Sequence, residues 1–243
     1  MCFFGSNITL TSGIGISSNK TVLTIDGTYE GVEYEYTDQK KLGTSDGIYI
    51  RSASTSKVTV KNMNITGYNY YGVIYVPESS AYKDVEIEYS NITYVGPQIS
   101  FNPVGLTRFV DSNITVKENY AAGNEVAECN RIEIGGTTTI VHNSTGNSGF
   151  WFRNANPSFT ILRGAVVNYE STSRELFYGV NNLKLTISKN AKFNVISHNG
   201  LAYGTNGTGE SLIDEGATFT LTKTSYSGSY ATWYSYGIIT VNK

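Results

Sequence analysis

Six aspartates are the first residues to weigh for chemistry: Asp26, Asp38, Asp46, Asp84, Asp111 and Asp214. Cleaving a polysaccharide requires carboxylates brought together. Hydrolysis takes a pair flanking the bond; elimination takes a cluster holding calcium beside a Lys or Arg base. No two of these aspartates are adjacent. Asp84 and Asp111 stand 27 apart, a spacing that lets them stack at one corner of a repeating coil, where solvated turn chemistry is the simpler role. Glu86 and Glu88 alternate with Ile87 and describe a strand with one side to water. His142 and His198 are the only histidines, and neither has metal-ligand spacing. His198 lies in Ser197-His198-Asn199-Gly200, a turn sequence. No phosphate loop or Cys-His arrangement occurs. Cys129, in the strand-like Ala127-Glu128-Cys129-Asn130, suits packing better than nucleophilic attack. The expectation is therefore no catalytic residue, no metal and no cofactor.

Aromatic side chains are the remaining candidates. They cluster at Tyr68-Asn69-Tyr70-Tyr71, at Phe150-Trp151-Phe152, and in a tail with Tyr226, Tyr230, Trp233, Tyr234 and Tyr236. Exposed Tyr and Trp give rigid amphipathic contacts to proteins or sugar rings. Core packing is expected of Phe150-Trp151-Phe152, and a binding role is assigned to Tyr230, Trp233 and Tyr234.

The elements that position these residues follow from a repeat. Ile161, Ile187 and Ile213 are 26 apart each time, as are Ala165, Ala191 and Ala217; Val167, Phe193 and Phe219; and Tyr169, Val195 and Leu221. A fixed period of this size marks a solenoid, and alternation within each unit marks strands. Upstream doublets at Val58/Val60, Val85/Ile87, Ile132/Ile134, Phe159/Ile161 and Leu185/Ile187 continue it. Phe109 fills the long step between Val85 and Ile132. A second strand follows each doublet and a third, aromatic-rich strand precedes it. Asn102, Asn130, Asn154, Asn181 and Asn206 recur after the third strand, where a corner needs a left-handed backbone; stacked, they can pass amide hydrogen bonds along the axis. The expected fold is all-β: a right-handed parallel β-helix of about eight coils, each with three short strands. A leucine-rich repeat fits only the coil around Leu183–Asn190, and a coil with three strands leaves no room for its helix.

One domain over residues 1–243 is expected, with 26–46 a projecting loop or hairpin and 226–243 a C-terminal cap, the whole excised from a larger surface protein. Charged residues make up only 16% of the chain and the net charge is -2, which gives no basic face for nucleic acid. Two cysteines, Cys2 and Cys129, exclude a disulfide framework. No stretch has the length of a membrane span. Seven Asn-x-Ser/Thr triplets occur, four of them Asn-Ile-Thr at corner-to-strand junctions, where corner geometry explains them without a glycan.

The succession Tyr71–Val76, Gly96–Pro103, Glu125–Glu128, Phe150–Arg153, Gly200–Tyr203 and Gly216–Leu221 resembles the pectate-lyase-like adhesive domain of Gram-positive bacterial surface proteins, over roughly residues 45–225. That resemblance implies the lyase fold displayed outside the cell without an established lyase site, and it carries over no catalytic residue. Taken together, these features lead to the expectation of a non-catalytic adhesive or scaffold module on a bacterial surface. It binds a host protein or glycan, or acts as a stiff spacer, and is monomeric as an isolated domain. The alternative is a polysaccharide lyase or glycoside hydrolase on the same scaffold. Replacing Ile187 with Asp, which sets a carboxylate between two isoleucines, should unfold the domain or cost at least about 3 kcal/mol. Circular dichroism and denaturant titration check it; a helix-dominated spectrum of the parent chain would overturn the fold.

Overall fold

A computed structural model describes residues 2–3, 6–10, 14–16, 22–38, 47–52, 56–68, 71–117, 125–178, 182–203, 209–225 and 238–242. Three columns of parallel strands make up a β-solenoid, joined in one sheet of 23 strands. The first face stacks Cys2–Phe3, Val22–Asp26, 57–61, 86–90, 106–110, 131–135, Ser158–Ile161, Lys184–Ile187, Glu210–Ile213 and Ile238–Val241. The second runs from Ile8–Leu10 through Glu35–Asp38 and successive rungs to Thr218–Lys223. The third runs from Ile14–Ile16 through Ile48–Ile50 and Ile74–Tyr75 to Ala202–Tyr203. The chain winds through about seven turns, slightly fewer than the eight coils expected.

The repeat positions pair as their spacing requires. Ile161 lies in register with Ile187 and Ile187 with Ile213; Val167, Phe193 and Phe219 form a second column. Val58, Val60, Val85, Ile87, Ile132, Ile134, Ile161, Ile187 and Phe193 are all buried. Ile213 and Phe219 are only partly buried. The rings of Phe193 and Phe219 stack at 5.5 Å, and those of Tyr89 and Phe109 also at 5.5 Å.

Corners between the first and second faces need one residue of positive φ. Asn62, Asn91, Asp111, Gly136, Gly164, Asn190 and Gly216 take it, with φ from 48° to 68°. Residues with a short polar side chain or no Cβ meet this demand at least cost. The Asn91 amide donates to Asn62 Oδ1 and the Asn62 amide to Asp26 Oδ1, both at 3.0 Å. Asn182 donates to Asn156 and Asn194 to Asn168 across single turns. Amide ladders therefore form, but in columns other than the expected one. Asn102 is buried and donates to the Val85 and Leu106 carbonyls. Asn154 donates to the Pro103 carbonyl. Asn181 and Asn206 lie outside the described residues.

Other expectations need correction. Strands are not uniformly short: Lys57–Thr66, Glu86–Gly96, Ser100–Val110 and Ala127–Gly135 each run through a corner onto a second face. Asp84 and Asp111 do not stack. Glu86 pairs with Leu106, so this coil is shorter than the usual period. Asp84 precedes the first-face rung at 86–90, whereas Asp111 ends the next rung at the opposite edge of that face. Among the described residues of 26–46, Thr28–Tyr29 and Val32–Glu33 form an antiparallel hairpin; 39–46 lie outside the described residues. Asp26 closes a first-face strand, and Glu35–Asp38 is a second-face rung. Near the C-terminus, Ile238–Val241 adds another parallel rung beside Glu210–Ile213; residues 226–237 of the expected cap lie outside the described residues.

The corner column can be tested at Asn62. Asn62→Gly keeps the backbone conformation and loses only the amide hydrogen bonds, so it should cost about 1 kcal/mol. Asn62→Val adds the penalty of a branched side chain at positive φ and should cost about 2–4 kcal/mol. Urea unfolding of the two variants measures the difference.

Candidate functional site

Because side chains alternate across a strand, the middle residue of each third-face rung points away from the core. These residues stand in register: Tyr49 with Tyr75, Tyr75 with Phe101, Phe101 with Glu128, Glu128 with Trp151, and Trp151 with Tyr178. At about 4.8 Å per rung the column is about 24 Å long. Its first half is a ring stack: Tyr49 and Tyr75 at 5.0 Å, then Tyr75 and Phe101 at 4.9 Å with planes 5° apart. Tyr71 sets its edge against both Tyr75 and Phe101. Arg153 covers the centre, its guanidinium 4.5 Å from the Trp151 ring centroid and 5.8 Å from that of Phe101. Phe101 is consequently buried, while Tyr49, Tyr75 and Trp151 are half-buried and Tyr178 is exposed.

Glu128 interrupts this stripe. It is 4% exposed, and its Oε2 lies 3.3 Å from Arg153 Nε without the alignment of a hydrogen bond. Arg153 also reaches Glu78 at 3.3 Å. Beside Trp151 and Tyr178 opens a pocket of about 340 Å³ lined by Glu125, Asn147, Ser148, Arg174, Glu175 and Asn199 as well as the two rings. Glu125, Ser148 and Glu175 form a column of their own, each two residues ahead of the paired Ala127, Phe150 and Phe177. The Ser148 hydroxyl donates to Glu175 Oε1 at 2.5 Å, and the Asn199 amide to Oε2 at 3.3 Å. Arg174 donates to the Gly146 carbonyl at 2.6 Å, leaving its Nε without a hydrogen-bond partner.

Burial, reinforced by repulsion from Glu128, pushes the Glu125 carboxyl up to about 8. Burial pushes Glu128 up to about 7, with Arg153 opposing. Two carboxyls that hold their protons near neutrality are thus set at the edge and the centre of one outward face, where they can donate as well as accept hydrogen bonds.

Of the binding residues expected from sequence, Tyr230, Trp233 and Tyr234 lie outside the described residues. Trp151 corrects the expectation for its strand: Phe150 and Phe152 enter the core, but the residue between them faces outward. Cys129 is buried and unpaired, and burial, then the charge of Glu128, raises its thiol well above the usual value. His142 is buried against Ser171 and Tyr169. Glu88 does not simply face water. With Lys57, Arg108 and Glu133 it forms an ion network on the outer side of the first face, at 2.6–3.1 Å. Sequence inspection missed the carboxyls at 125, 128 and 175. The available signal was the spacing of Phe101, Glu128, Trp151 and Tyr178, close to the period of the coil.

Residues 4–101 match the family model described as "Putative pectate lyase-like adhesive domain". The match includes the first coils, which the sequence resemblance had left out, and its last residue is Phe101 of the stripe. The chain matches none of the curated proteins and none of the solved structures with which it was compared. Among the described residues, no helix is long and apolar enough to cross a membrane.

The raised carboxyl of Glu125 makes stability depend on pH with a definite sign. Unfolded, this group releases its proton near 4.5; folded, it keeps it to about 8. Across that window the native state binds more protons, so stability is highest below the unfolded value and falls as pH rises through the folded one. Glu128 acts in the same direction and Arg153 opposes. The melting temperature should fall between about pH 5 and about pH 9, and Glu125→Gln should flatten that fall and melt higher than the parent at the alkaline end. Thermal melts across this range check it.

Proposed function

We propose that this chain is a non-catalytic adhesive module displayed on the outside of a bacterial cell, and that its third face binds a glycan. The observation that carries this is the in-register outward stripe Tyr49, Tyr75, Phe101, Trp151 and Tyr178, continuous with a polar pocket. The edges of the stacked Tyr49 and Tyr75 and, beyond the buried Phe101 and Glu128, the rings of Trp151 and Tyr178 offer amphipathic contacts spaced along the face for a chain of sugar rings. The pocket supplies the few convergent polar groups that fix orientation. The adhesive description of the matching family, which overlaps the first half of the stripe, supports the same assignment.

A catalytic role is the second possibility, favoured by one observation: Glu125 and Glu128 keep their protons near neutral pH, as a general acid must. It requires release of new reducing ends or unsaturated products from a glycan, with loss of turnover in Glu128→Gln.

A glycan array separates these outcomes. The module should retain a discrete set of oligosaccharides and release them uncut. Trp151→Ala with Tyr178→Ala should weaken binding at least about tenfold with an unchanged circular-dichroism spectrum. Should replacing Tyr230, Trp233 and Tyr234 abolish binding while the Trp151 and Tyr178 variant keeps it, the site moves to the tail. A module that binds nothing on glycan and protein arrays would be a stiff spacer.

A further inference from the structure

We infer that the pocket beside Trp151 and Tyr178 takes the protonated amino group of a non-acetylated hexosamine, and that the adhesive face therefore prefers a cationic glycan to a neutral or an anionic one. The inference rests on the third face being a glycan-binding surface and specifies its ligand.

The charge inventory of the pocket leads to it. Glu125 and Glu175 line the cavity and are 3% and 4% exposed. The one cation in the lining, Arg174, is turned toward the Gly146 carbonyl. The nearby Arg153 is engaged by Glu78 and Glu128 and lies over the Trp151 ring. A carboxyl buried without a close counter-charge keeps its proton, and an ammonium group that enters such a site lets it release that proton to solvent and pair with the cation. Glu128, ion-paired through Oε2 with Arg153, adds a further buried carboxyl at the rung beside Trp151. The walls also include the rings of Trp151, one face of which Arg153 covers, and of the exposed Tyr178, whose ring quadrupole attracts a cation. Hydroxyls of the same sugar ring find Asn147, Ser148 and Asn199. An acetylated amine loses both the charge and the compact fit. A uronic acid brings no cation to the buried Glu125.

Calorimetry with three probes of equal length tests this on the intact chain at physiological ionic strength: a glucosamine oligomer, its N-acetylated counterpart and a galacturonate oligomer. The glucosamine oligomer should bind at least about tenfold more tightly than the acetylated one, and the galacturonate oligomer weakest of the three. Glu125→Gln and Glu175→Gln, made singly so that one can serve if the other fails to fold, should each bring the amine-to-acetyl ratio down toward one. A preference that survives in folded forms of both variants would be general attraction of a polycation and would overturn the inference. So would equal affinity for the first two probes, or tightest binding of the galacturonate oligomer. Binding of all three without a charge preference defeats this inference and leaves the glycan-binding face standing. If none of the three binds, the inference fails, and a blank glycan array would then remove the glycan-binding face as well.

Discussion

Parallel, in-register stacking is the constraint on which everything else in this molecule depends. No single coil can bury its own inward side chains; each is buried by its equivalents one rung above and below. Ile187 is buried because Ile161 and Ile213 stand in register with it. Ile213, Phe219 and Leu221, near the C-terminal end, are only partly buried although they are the same kinds of residue in the same columns. Stacking also dictates the corners: each turn must bend at the same place, so the positive-φ position recurs from Asn62 to Gly216.

The constraint that aligns inward residues aligns outward ones as well, so each face carries a column with its own chemistry. The first face carries Lys57, Glu88, Arg108 and Glu133, whose half-exposed ion pairs contribute little each. On the second, Asn194 donates to Asn168 across one turn. The third carries rings and then carboxyls. Its first half, Tyr49 to Phe101, falls within residues 4–101 that match the adhesive family, whereas the pocket lies beyond them.

Most of the fold was legible in the sequence because apolar periodicity is a direct consequence of stacking. The 26-residue columns from Ile161 to Leu221 pair as read, and Phe109 occupies the rung assigned to it. Rungs were less legible where coil length varies. Glu86 pairs with Leu106 rather than with a residue one full period away, which is why Asp84 and Asp111 were placed at one corner when they stand at opposite edges of the first face. The site was barely legible. Glu128 in Ala127-Glu128-Cys129 looks like any solvated residue of an alternating strand; its burial comes from Phe101, Trp151 and Arg153, which lie on other coils. Glu175 and Ser148 are far apart in sequence and meet only because their coils are adjacent.

The central claim is that the third face, at Trp151, is where the ligand sits. Trp151 and Trp233 are the only tryptophans, so a Trp233→Phe protein carries a single tryptophan, on that face, whose emission is read by exciting at the red edge where tyrosine does not absorb. Titrating it with an oligosaccharide retained on the array should change the emission of Trp151, with a midpoint equal to the dissociation constant from calorimetry. Binding seen by calorimetry with unaltered Trp151 emission would place the ligand elsewhere and contradict the account.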